Sequence, residues 1–189
     1  HNSEVHLFKF GAKASNELQA MAEGGDIAPL AALATSVNAT NVENPAAGPL
    51  APATSTMTEA FDTGANTHLS ITAMVLPTND AFIGLNSWEI PSVPGVYTIE
   101  LDAYDAGTEA NDEIVNGGGA PNIAGIPADP GNHQGSGATG VTNTEANTSV
   151  HVHRGVLGDS NPAGGNSDLD ATIHRWLNPV AHVKVTVKE

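Results

Sequence analysis

No cysteine occurs among the 189 residues, so disulfides and thiolate metal sites are both excluded. Positive charge is scarce. Six lysines and arginines stand against 21 aspartates and glutamates, a net charge of −15. Nucleic acid is not an expected partner, because phosphate binding needs a basic footprint. An anionic membrane surface is disfavoured on the same ground. The sequence has no run of 18 apolar residues, which excludes a helical membrane span and any membrane insertion by that route. Phe, Trp and Tyr together number eight, too few to line a long glycan-cleaving groove. Catalytic signatures are missing as well. There is no nucleophile elbow, and the glycine run Gly117–Gly119 lacks the helix and lysine of a phosphate loop. An enzyme is therefore not expected.

What is present fits one ordinary domain, residues 1–189, with a real core and no second composition regime or internal repeat. Strong acidity keeps such a chain soluble and suits secreted settings and cation binding. The stretch from His68 to Asp105 organises the rest. Over Leu69–Leu76, Leu69, Ile71, Ala73 and Val75 alternate with His68, Ser70, Thr72 and Met74. Over Tyr97–Tyr104, Tyr97, Ile99, Leu101 and Ala103 alternate with Thr98, Glu100, Asp102 and Tyr104. A two-residue period marks strands with one buried face. Between them, Ile83–Leu85 and Trp88–Ile90 read as parts of a turn-rich connection.

Elsewhere, Ser3–Gly11 alternates well enough for a first strand, and a short strand is expected around Ala60–Asp62. Asn16–Glu23 and Ile27–Ser36 read as short helices, the first with Leu18, Met21 and Ala22 on one stripe. Asp26 stands ready to cap the second, and Pro29 is tolerated in its first turn. Asn38–Thr56 and Gly117–Asn147 are long surface excursions, and Asn161–Ser167 is a shorter turn-rich loop. Ser149–His153 makes a short strand, Asp168–Trp176 a helical turn or extended crossing, and Val180–Val187 a final alternating strand. Short strands separated by turn signals predict an all-β, antiparallel β-sandwich with short helices and long loops.

Four stretches carry a family likeness. LPTNDAFIGLN followed by ELDAYDAGTEANDE resembles the bacterial form of the spondin N-terminal domain. HVHRGVLG and RWLNPVAHVKVTV resemble its last two blocks. The resemblance implies a C2-like sandwich in an extracellular protein, either secreted, periplasmic or on the cell surface. A chain beginning at His1 then reads as one whose secretory signal has been cleaved. Animal members carry cysteines that this sequence lacks.

The same resemblance implies a calcium site at Asp80, Asp102 and Asp105. The chemistry agrees: calcium takes six to eight oxygens in irregular geometry, from carboxylates and backbone carbonyls. Glu109, Asp112 and Glu113 stand close enough in sequence to add oxygens or simply to solvate the loop. The bland alternative makes the aspartates caps and turn formers. For histidine, His151 and His153 lie two apart in a strand, roughly 6.6–6.8 Å along one face. With His68 from the polar parity of its own strand they suggest a copper or zinc site. Surface copper-binding proteins of methane-oxidising bacteria are similar to this fold and hold copper(I) with two histidines and a kynurenine. Here neither Trp88 nor Trp176 stands two residues before a histidine. The alternative is that His151 and His153 are packing residues hydrogen-bonded to loop backbone. Two functions follow: a metal-handling protein, with calcium for the fold and copper for sequestration or uptake, or an adhesion module meeting an extracellular protein or matrix partner.

Overall fold

A computed structural model describes residues 1–130, 135–161 and 163–189. Parts of the Gly117–Asn147 and Asn161–Ser167 loops, at 131–134 and 162, lie outside the described residues. Two helices come first, α1 (Asn16–Gly24) and α2 (Ala28–Ser36), followed by strands β1 (His68–Met74), β2 (Ala81–Glu89), β3 (Gly95–Asp105), β4 (His151–Val152) and β5 (Ala181–Val187). The pairings among these five strands are antiparallel. The fold is all-β and sandwich-like, with long loops and two short helices.

Strand β3 belongs to both parts of the sheet. Its last residues pair with β2, Gly84 opposite Asp102 and Ala81 opposite Asp105, and its end pairs with β4. Its first seven residues, Gly95–Leu101, pair instead with β5. The register places Ala81, Asp105 and His151 side by side at one end of the sheet.

Two departures from the sequence pattern position the site. What reads as a turn-rich connection is the continuous strand β2. It survives its breakers because β1 adapts to it. The ladder slips between Leu69 and Ile71, and the Ser70 hydroxyl accepts the Ser87 N–H at 2.8 Å. Conversely, Ser3–Gly11 forms no strand, and neither does Ala60–Asp62. Strand β1 also turns its expected polar parity inward. Met74 packs on the core, and Thr72 meets the Met21 sulfur of α1, while Ala73 is exposed. A helix laid across that face reverses the usual sense of the alternation.

Helix α1 starts where the Ser15 hydroxyl accepts the Leu18 N–H at 3.2 Å. Its stripe of Leu18, Met21 and Ala22 packs with Phe8, Phe82, Ala106 and Val150 in the main core. Asp26 accepts the Ala28 N–H at 3.1 Å, ahead of α2. A second, smaller core of Ile126, Val156 and Leu169, flanked by Val115 and Trp176, sits beneath the long loops.

Candidate functional site

The β2–β3 register brings Asp80 and Asp105 together. Asp80 immediately precedes β2 and Asp105 closes β3, so the Ala81–Asp105 pairing makes them neighbours. The Ala106 N–H then donates to the Asp80 carbonyl at 3.2 Å. The chain turns at Gly107, where φ is +70° and a Cβ would lie 2.6 Å from the Ser149 nitrogen, a space open only to glycine. That turn throws Thr108 and Glu109 back over Asp80. One carboxylate oxygen of Asp80, Oδ2, accepts from Thr108 N (2.8 Å), Thr108 Oγ1 (3.0 Å) and Glu109 N (3.1 Å). Its other oxygen, Oδ1, is buried with no partner.

Glu109 repeats the pattern. Its Oε2 accepts from Gly125 N at 2.9 Å and Asn79 Nδ2 at 3.3 Å, while its Oε1 is buried and unpartnered. Asp105 is better served: Gly107 N donates to Oδ1 at 2.7 Å and Asn111 Nδ2 to Oδ2 at 2.7 Å. Among the described residues, no lysine or arginine makes an ion pair with any of the three. Burial, and then repulsion from Asp105, pushes the Asp80 carboxyl up to about 7. Burial likewise pushes Glu109 up to about 7, against the two hydrogen bonds it accepts. Asp105 is also raised by burial. An acid held in this way is starved of positive charge.

The other acidic residues separate cleanly. Asp102 does not join the cluster. It lies an odd number of residues from Asp105 on a continuous strand, so it projects from the opposite face, beside Tyr104, whose hydroxyl is raised by burial and then by that charge. Asp112 accepts from Asn79 and from the Ile114 N–H. Both oxygens of Glu113 are filled by Leu157 N, Gly158 N and Ser167 Oγ, so it fastens loops together. Asn79 and Asn111 are the partners that sequence reading passed over. Their one visible signal is position, each standing beside an acid in TNDA and EAND.

The histidines do not form the expected copper centre. His68 pairs with Glu89, eight residues along β2 from the Ala81 end where His151 lies. At the rise of a strand that is roughly 26 Å. His153 is also fully occupied. Its Nδ1 accepts the Gly155 N–H at 2.9 Å and its Nε2 faces Asn111 Oδ1 at 2.9 Å, which leaves no lone pair for a metal. Its ring lies 5.1 Å from that of Trp176, and burial pulls the imidazole down to about 4. His151 bonds the Ser149 carbonyl through Nδ1 at 2.7 Å and points Nε2 at Asp105, 3.7 Å away. These residues do not fit copper. Trp88 sits in β2 with its ring 6.1 Å from Tyr97. Among the described residues, no three His, Asp or Glu side chains form a ready-made metal cage. A proton NMR titration is expected to show the His153 ring neutral from pH 8 to about 5. A His153 midpoint above 6 would remove the packing role.

Fold and site together define an antiparallel, sandwich-like β domain that buries unpaired carboxylates at one loop end. A family model described as Spondin_N matches residues 1–116, and the chain belongs to the spondin N-terminal domain family. The matched stretch takes in both helices, β1 to β3 and the acidic loop, and stops before the HVHRGVLG and RWLNPVAHVKVTV blocks. No curated protein matches the chain. The family is extracellular, and its domain marks a recognition or adhesion module. Among the described residues, no helix is long and apolar enough to cross a membrane.

Proposed function

We propose that the protein is an exported recognition module whose loop end is tied together by a calcium ion. The observation that carries the calcium is the pair of buried, partnerless oxygens, Asp80 Oδ1 and Glu109 Oε1. Native proteins seldom leave such atoms without a partner. Two carboxylates forced toward neutrality by burial are groups a hard cation would return to the ionised form. Asp80, Glu109 and Asp105 would hold the ion, with backbone or asparagine carbonyls completing the oxygens that flexible calcium geometry requires. Bound there, calcium would neutralise the cluster and fix the 106–113 loop against β2. Asp102 is not among the ligands, and copper plays no part. Family membership supports binding at a surface, not catalysis, as the task of the loops.

Thermal unfolding at pH 7.5 tests the ion. Calcium at about a hundred times its Kd is expected to raise the midpoint by about 5–10 °C over EDTA, a gain near 2.7 kcal/mol. No rise at millimolar calcium rejects the ion. Retention of the labelled domain on intact cells or their extracellular polymer tests recognition. Recovery no better than that of an unrelated acidic protein rejects it.

A further inference from the structure

The face of β3 that turns away from the buried acids has its own arrangement. Glu100, Asp102 and Tyr104 share that face, and beside them opens a cleft of about 270 Å³ lined by Phe8, Lys9, Phe10, Gly84, Asn86 and Tyr104, with Glu100 at its wall. Three of the few aromatic rings in the chain meet there. Phe8 and Tyr104 lie 5.3 Å apart at 41°, Phe10 and Tyr104 4.9 Å apart at 65°, and Phe8 and Phe10 5.9 Å apart at 82°. Gly84 makes this possible, since a Cβ would stand 2.7 Å from the Phe8 ring. Phe10 is 61% exposed, although burying it would favour folding. Glu100 and Lys9 line the cleft and Asp102 shares the face, while on β5 His182 stands opposite Glu100 and Lys184 opposite Thr98, so the acid excess is that of the whole chain, which carries −15.

From this geometry we infer that the cleft receives a cationic side chain, an arginine of a basic protein partner. Phe8 is buried and Tyr104 packs on it, so the ring open to a cation is that of the exposed Phe10; guanidinium groups stack on such faces while pairing with carboxylates. The net charge of −15 steers a basic partner, in preference to an anionic one, toward the surface. The inference names the partner chemistry for the recognition reading and rests on it. It does not rest on calcium, because the cleft and the buried acids occupy opposite faces of β3.

The probe is a capped Gly-Arg-Gly tripeptide, with its citrulline counterpart as the neutral isostere, titrated in calcium and in EDTA. Amide NMR shifts at Gly84, Glu100 and Tyr104 report occupancy. Saturable shifts with arginine and about tenfold weaker ones with citrulline are expected. Phe10→Ala and Glu100→Gln, both at exposed positions, are expected to weaken binding about fivefold each, and Lys9→Gln to strengthen it. Equal binding of citrulline, tighter binding of a methyl pyranoside, or no saturation by about 50 mM peptide would overturn the inference. A silent cleft in a domain that still binds cell surfaces removes the arginine chemistry alone. Loss of all surface binding removes the recognition reading with it.

Discussion

Asp80→Asn is expected to make the calcium-free protein more stable at pH 7.5 and to abolish the stabilisation by calcium. The two effects have one cause. Asp80 carries a buried carboxyl pushed up to about 7 from an ordinary 3.8, and holding it ionised at neutral pH costs on the order of 4 kcal/mol. Asparagine keeps the shape. Its carbonyl takes over the Thr108 and Glu109 N–H bonds that Oδ2 now accepts. Its amide group stands where Oδ1 is partnerless and donates toward the Asp105 and Glu109 carboxylates nearby. A gain of about 2 kcal/mol or more in EDTA follows, roughly 4–8 °C in the midpoint. With one of its charged donors gone, calcium no longer raises the midpoint. A variant that is less stable in EDTA, or that keeps the calcium effect, would remove Asp80 from the site.

The sign of the pH dependence follows from the same residues. Between about pH 4 and 7 the native Asp80 and Glu109 retain protons that the unfolded chain has released. Stability of the calcium-free wild type therefore falls as pH rises through this window, and calcium removes the fall by favouring the ionised forms. His153 works in the opposite sense at the acid side: its imidazole, pulled down to about 4, withholds a proton that the unfolded chain binds below about 6.5. Stability contributed by His153 is lost as pH drops from about 6.5 to 4. In Asp80→Asn the first slope shrinks and the second remains. The advantage of the variant over wild type in EDTA is thus expected to vanish near pH 4.5, which separates relief of charge from a gain in packing.

Local pattern made much of the fold legible. The Leu18, Met21 and Ala22 stripe, the Tyr97–Tyr104 alternation and the closing valines all depend on neighbours a few residues apart, and each became the element it suggests. Strand β2 did not show itself, because Gly84, Asn86 and Ser87 argue for a turn and only the partnership with β1 overrides them. The site was half readable for a similar reason. Asp80 and Asp105 meet through a register between strands. Asp102 fails by strand parity, a rule already visible in the sequence as the alternation of residues 97–104. His68 fails because sequence spacing gives no hint of which end of the sheet a strand end occupies. The two hydrogen bonds that occupy His153 come from residues 111 and 155, one of them 42 positions away, beyond the reach of any local motif.

Glu113→Gln is expected to destabilise the protein by on the order of 3 kcal/mol, equally in calcium and in EDTA. Glu113 differs from Glu109 in one respect that decides its role: none of its oxygens is free. Oε1 accepts the Leu157 N–H at 2.7 Å, and Oε2 accepts the Gly158 N–H at 2.8 Å and the Ser167 hydroxyl at 2.6 Å. Arg154 lies 3.9 Å from Oε1. Its backbone is equally engaged, donating to Asn79 and accepting from Asp168. One buried carboxylate thus joins the acidic loop to the two loops that enclose the Ile126, Val156 and Leu169 core. Glutamine puts an NH₂ where an acceptor is needed, so at least one N–H or hydroxyl is buried against a donor. It also removes the charge that strengthens the other bonds, each worth about 1.5–3 kcal/mol. The midpoint is expected to fall by roughly 10 °C, with faster hydrogen exchange at Leu157 and Gly158. The proposed calcium ligands do not include this residue, so the calcium-dependent rise is expected to survive in the variant. A loss confined to the calcium-bound protein would instead make Glu113 a ligand and move the ion toward the second core.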